Sequence, residues 1–163
     1  MAMTNAQKRD NVLQWAESQL GVIEFPLNSN KVKYNTWFYG REVSGDTYPW
    51  CMVFVQWVFQ RAKLPLPVKT AGCTALANWA KAHGQWVTKD FKPGDILFMH
   101  WGKNAAATEH VGIVKEARKA AQTYYVTYEG NTSLASQANG GCVMERNRAL
   151  ANITGAYRPW YNM

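Results

Sequence analysis

The chain has 163 residues and a formal net charge of +7, with 47% hydrophobic and 13% aromatic content. That length closes one hydrophobic core and is short for two, so a single domain over 1–163 is expected, and a charged fraction of 18% without long single-sign runs excludes extensive disorder. The positive charge favours an anionic partner, but Lys and Arg are scattered from Lys8 to Arg158 beside no zinc-finger, RRM or KH signature, so nucleic acid is not expected; Cys51, Cys73 and Cys142, an odd number at wide spacings, exclude a disulfide framework and a structural zinc site and leave at least one free thiol.

Met1 leads straight into a polar amphipathic segment with no apolar signal region and no stretch long enough to span a bilayer, so a protein made in the cytoplasm without a secretory signal is expected. Thr4 and Gln7 fit a capping box, and Val12, Leu13, Trp15, Ala16 and Leu20 recur at helical spacing, which predicts a first helix over 5–20 stopped by Gly21. Residues 25–48 mix Asn, Gly, Ser and aromatics without a sustained period and read as a long ordered loop, a kind of segment that is usually functional. Asn30, Tyr34 and Trp37 in that loop, with Trp50 just beyond it, are candidate substrate contacts, because aromatic faces lie against sugar or peptide and Asn pairs with backbone amides. The alternative is that these aromatics cap the core.

Residues 51–62 are apolar on nearly every side and lie between Pro49 and Pro65, which predicts a central, deeply buried helix; the run is long for a strand. A shorter helix over 74–83 ends at Gly84. The turn Lys92-Pro93-Gly94-Asp95 then opens strand-like runs at 96–99, 110–114, 124–129, 142–146 and about 153–157. Helices first and an antiparallel sheet second make the α+β class.

Cys51 opens the buried helix, where free backbone N–H groups and the helix dipole favour an anion, and the thiolate is the nucleophilic form of cysteine. A buried structural cysteine is the alternative. His110 opens the run His-Val-Gly-Ile-Val, so strand alternation turns its ring to the face of Gly112, whose missing side chain leaves room beside it. His83 at a helix end and His100 at a strand-to-loop junction are weaker competitors. Glu129 and Asn131 in Tyr-Glu-Gly-Asn share one side if the strand persists, and either suits the third polar group that a Cys–His pair needs to hold its imidazole.

Four segments in this order, Pro49-Trp50-Cys51 opening a helix with Phe54, Val55 and Trp57, then Pro93 to Phe98, His110 to Val114, and Glu129-Gly130-Asn131, resemble the CHAP family of cysteine-dependent amidohydrolases and peptidases, relatives of the NlpC/P60 group. The resemblance implies a papain-like core with N-terminal helices packed on an antiparallel sheet. It implies Cys51 as nucleophile, His110 as general base, Glu129 as the residue that orients His110, and Asn131 as a support of the site, with the Cys51 N–H forming part of an oxyanion hole. Lysins of phages that attack Gram-positive hosts often carry such domains without a signal peptide, because a holin releases them. The implied function is therefore hydrolysis of an amide bond of bacterial peptidoglycan, as an N-acetylmuramoyl-L-alanine amidase or an endopeptidase, by a monomer that needs no cofactor. Acyl transfer or deamidation on the same scaffold, and wall binding without catalysis, are the rival readings.

Two departures from the family accompany the resemblance. Many members bind calcium through an Asp-rich loop just before the cysteine, whereas residues 40–50 hold only Glu42 and Asp46 as acids, so no metal is expected. No wall-binding module follows the domain, so either the natural protein is longer or the positive charge provides affinity for an anionic wall.

Overall fold

A computed structural model describes residues 2–159; residue 1 and residues 160–163, the two ends of the expected domain, lie outside the described part. Helix α1 (Asn5–Glu17) starts at the reciprocal cap read from the sequence, with the Gln7 N–H donating to Thr4 Oγ1 at 3.1 Å and the Thr4 N–H donating to Gln7 Oε1 at 2.8 Å. It ends short of Leu20. The Ser18 hydroxyl donates to the Trp15 carbonyl, the N–H groups of Gln19 and Leu20 bond carbonyls three residues back, and Gly21 turns away at φ 90°.

Residues 25–48 are not the uninterrupted loop expected, because they contain helix α2 (Lys33–Tyr39). Two turns are too few to show a period, and no side chain caps its start. What holds α2 is tertiary: Tyr34 is fully buried, and the Asn35 amide donates to the carbonyls of Asn30 and Tyr48, clamping the chain on either side of the helix. Helix α3 (Cys51–Arg61) is buried without a break from Cys51 to Phe59, with α1 and α2 on one side and the sheet on the other, which explains why its sequence shows no polar face. Helix α4 (Cys73–Ala82) starts one residue before the helix expected and ends one residue before it.

The sheet comprises β1 (Trp86–Val87), β2 (Ile96–Met99), β3 (His110–Val114), β4 (Tyr124–Thr132), β5 (Cys142–Ala149) and β6 (Ile153–Tyr157), in the order β1-β6-β2-β3-β4-β5 with antiparallel neighbours throughout. The α+β class and its antiparallel sheet are thus as expected. Strand β1 was not expected, since two residues carry no alternation; it forms where Gly155 of β6 leaves space for the Trp86 ring. Strands β4 and β5 run beyond the expected ends at Glu129 and Arg146, pairing across a register shift between Glu129 and Thr132.

Alternation divides the sheet's side chains between two clusters. Ile96, Phe98, Val111, Ile113 and Tyr128 pack with Phe54, Val58 and Leu76 of the helices, while Leu97, Val114, Tyr125 and Ala156 gather with Phe91 in a smaller cluster. Gly130 sets the distance between α3 and β4: a Cβ there would lie 2.6 Å from Phe54 Cβ. Only glycine lets the strand come so close to the start of α3, and that approach places Glu129 beside the helix that begins at Cys51.

Candidate active site

Cys51 is the first residue of α3, and the preceding Trp50 is the peg that fixes the helix start. The indole of Trp50 is completely buried, stacks on Tyr34 at 5.6 Å, and donates from Nε1 to Glu24 Oε2 at 3.0 Å. Glu24 also accepts the N–H groups of Asn28 and Asn30, so one buried carboxylate ties residues 24–30 to the cysteine's own neighbour. Cys51 is 7% exposed, receives the Met52 N–H on its sulfur, and faces Cys73 with 4.0 Å between the two Sγ atoms.

His110 begins β3, and its Nε2 lies 2.8 Å from Glu129 Oε1, both side chains being fully buried. A carboxylate only accepts, so Nε2 carries the proton. Glu129 is itself over-determined: Thr127 Oγ1 donates to Oε2 at 2.6 Å, Arg148 Nε donates to Oε2 at 2.7 Å, and Arg148 Nη2 donates to Oε1 at 2.5 Å. Gly112 makes room for this carboxylate rather than for the imidazole, since a Cβ there would stand 2.7 Å from Glu129 Cγ. Arg148 is 3% exposed, its guanidinium stacks on Trp101 at 5.1 Å, and its Nη1 donates to Gln137.

Burial would push the Glu129 carboxyl up, but hydrogen bonds from Arg148 and the charge of His110 outweigh it and bring the pKa down to about 2. Burial likewise pulls His110 down, and the charge of Glu129, with its hydrogen bond to Nε2 and the nearness of Cys51, reverses this and lifts the pKa to about 9. The Cys51 thiol is held well below its ordinary range by a hydrogen bond from Cys73, against burial, with further help from His110 and the Met52 N–H. A thiol is a weak donor at 4.0 Å, so the charge of His110 is the firmer cause. His110 Nδ1 is buried and makes no hydrogen bond, although His110 and Cys51 clearly shift one another's protons. The lowered pKa of Cys51 and the raised pKa of His110 both favour a thiolate beside an imidazolium, backed by the Glu129 carboxylate and the Arg148 guanidinium.

The family model of the CHAP domain matches residues 43–131, the stretch that contains Cys51, His110, Glu129 and Asn131. The chain belongs to the CHAP domain family. Its fold is similar to that of a crystal structure of the wild-type endolysin LysIME-EF1, with a TM-score of 0.52 and 18% identity over 93% of this chain and 64% of that one. This CHAP domain therefore spans less than two thirds of that endolysin, and at such identity the likeness is one of fold. No curated protein sequence matches.

Around the CHAP site the other expected residues divide. Asn131 is buried at φ 55° inside the register shift, and that turn ends the alternation that would have aligned it with Glu129. Its Oδ1 accepts the Gly141 N–H at 3.1 Å and its Nδ2 reaches Asn139 at 3.4 Å, so it braces the start of β5. Among the expected substrate contacts, Tyr34 and Trp50 have no exposed surface, and Asn30 is buried with its amide on the Gly45 carbonyl. These three pack and brace the fold, which corrects the expectation that they offer a surface to substrate. Trp37 alone keeps accessible surface, lining a cleft of about 320 Å³ with Gln56, Gln60, Pro65, Leu66 and Lys69; neither Cys51 nor His110 lines it. His83 stacks on Trp79 at 3.9 Å, away from the site.

A family-type calcium ion does not fit here. Glu42 pairs with Lys31 at 3.4 Å, Glu24 is committed to three N–H donors, and among the described residues no three acidic, His or Cys side chains converge as a cation needs. Sequence reasoning missed Arg148, Thr127, Glu24 and Cys73. For Arg148 a signal existed: alternation in β5 turns Arg146 and Arg148 inward, where a charged side chain needs a partner. Arg148 and Glu24 also lie outside the stretch matched by the family model.

Proposed function

We propose that this CHAP domain hydrolyses an amide bond of bacterial peptidoglycan, either between muramic acid and L-alanine or within the peptide part, using Cys51 as nucleophile. The thiolate attacks the carbonyl carbon, and the oxyanion forms at the start of α3, where the Cys51 N–H has no intrahelical acceptor. His110 gives its Nδ1 proton to the departing amine as the C–N bond breaks, leaving a thioester. Nδ1 then takes a proton from water as that water attacks, the C–S bond breaks, and the thiolate and imidazolium return. Glu129 keeps Nδ1 directed at Cys51 and stabilises the imidazolium throughout, and Asn131 supports the strand end that carries Glu129.

The observation that carries this reading is the two-sided imidazole: Nε2 fixed to a buried carboxylate, and Nδ1 buried without a hydrogen bond next to a cysteine of lowered pKa. The continuous core from α1 to β6 supports treating the chain as one catalytic domain. The action on a cell wall after release from a producing cell, as a monomer, belongs to the same proposal. Digestion of purified walls followed by mass spectrometry of the muropeptides tests it. New amino termini without an added group are expected from the wild type and none from Cys51→Ala; lysis by Cys51→Ala at the wild-type rate would overturn the assignment.

A further inference from the structure

Cys73 is a nucleophile beside the site to which the proposed hydrolysis gives no role. It opens α4 as Cys51 opens α3, and in each case the helix start has no side-chain cap, so both sulfurs sit where free N–H groups favour an anion. Their separation is 4.0 Å, which puts the two sulfurs in contact with no group between them, and a disulfide needs about 2.05 Å. Both residues are buried, Cys51 at 7% and Cys73 at 8% exposure, which restricts the oxidant to a small molecule such as a peroxide. The third cysteine, Cys142, sits in β5 with its sulfur directed to the Val143 carbonyl.

We propose that Cys51 and Cys73 form an oxidative modification site, at which a hydroperoxide produces an intramolecular disulfide that thiols reverse. That the disulfide also silences hydrolysis rests on the reading of Cys51 as nucleophile. In the first step the Cys51 thiolate attacks the peroxide: an S–O bond forms, the O–O bond breaks, and the sulfur passes two electrons to the peroxide oxygen. The departing hydroxide or alkoxide takes a proton from the His110 imidazolium. Cys73 sulfur then attacks the sulfenic sulfur, the S–S bond forms, the S–OH bond breaks, and the hydroxide leaves as water with the Cys73 proton. A dithiol returns the two electrons and is itself oxidised to a disulfide. The order of events is built in: a hydrogen bond to Cys51, burial and the Cys51 charge keep Cys73 protonated while Cys51 is a thiolate, and the charge disappears once Cys51 is a neutral sulfenic acid.

The test uses the full chain treated with hydrogen peroxide, alkylated at its remaining thiols and mapped by mass spectrometry, with wall lysis measured before and after dithiothreitol. Expected is a peptide pair joined through Cys51 and Cys73, about 2 Da lighter than the two thiol peptides together, and a loss of lysis that dithiothreitol restores. In Cys73→Ser, compared with its own untreated rate, Cys51 should pass on to sulfinic and sulfonic acid and the loss should persist; Cys142→Ser should behave as the wild type does. Wild-type protein in which Cys51 becomes a sulfinic acid with no Cys51–Cys73 pair overturns the proposal. A cross-link that leaves lysis unchanged would uphold the modification site and overturn Cys51 as the nucleophile, so the two readings fail separately.

Discussion

At the scale of single residues, the site is a relay of charges whose protons are placed by neighbours. Cys51 is held low and His110 high, at about 9, which favours a thiolate–imidazolium pair; in the proposed mechanism that pair is lost on the alkaline side as His110 releases the proton intended for the departing amine. The dependence of kcat/KM on pH should therefore fall through about 9; a rate that keeps rising above that value would contradict the assignment. Arg148 is the residue on which Glu129 depends. With its folded pKa lowered from 4.5 to about 2, Glu129 contributes stability that is present above 4.5 and lost as pH falls through about 2. Arg148→Gln removes the bidentate donor from a buried carboxylate, so it should cost about 3 kcal/mol in chemical denaturation and move the acid limb of the activity profile to higher pH, with Arg148→Lys intermediate. An acid limb that stays in place in Arg148→Gln would reduce Arg148 to a packing role.

At the scale of elements, the close approach of α3 and β4 decides whether these residues meet. Gly130→Ala would set a methyl group 2.6 Å from Phe54 Cβ, and neither a helix backbone nor a paired strand yields easily to such a contact. A loss of about 1–3 kcal/mol is expected, read from thermal or urea unfolding, with activity falling more than stability at temperatures where the protein stays folded. Full activity in a Gly130→Ala protein would mean that Glu129 tolerates displacement. Glu24 gives a second case, in which one carboxylate holds a loop, a tryptophan and thereby the first residue of a helix, using three N–H donors.

At the scale of the whole molecule, the proposed function gives the net charge of +7 a role in encounter and not in chemistry. An anionic wall attracts such a protein over a distance that salt limits to about 8 Å at physiological ionic strength, so lysis of intact cells should weaken as salt rises while cleavage of a small neutral fragment should not. Initial rates on both substrates from low to moderate salt make the comparison. Equal losses would locate the effect of salt in the site or the fold, and unchanged lysis of cells would leave the charge without this role.

How much of this was written in the chain depends on the range of the interaction. The cap at Thr4, the buried run after Cys51, and strands β2, β3 and β6 were legible because periodicity, turn residues and capping act over a few residues. The expectation that Cys51, His110 and Glu129 form one group came from their placement at a helix start and two strand ends and from family resemblance, not from spacing. Tertiary structure decided the rest. Helix α2 forms because Asn35 and Tyr34 find distant partners, Tyr34 and Trp50 are buried because α3 covers them, and Asn131 turns away from Glu129 because a register shift interrupts β4. Arg148 reaches Glu129 only through the pairing of β5 with β4, and Cys73 reaches Cys51 only through the packing of helix starts that lie 22 residues apart. Such contacts join groups whose separation in sequence carries no information about their separation in space, and chain-local patterns cannot encode them.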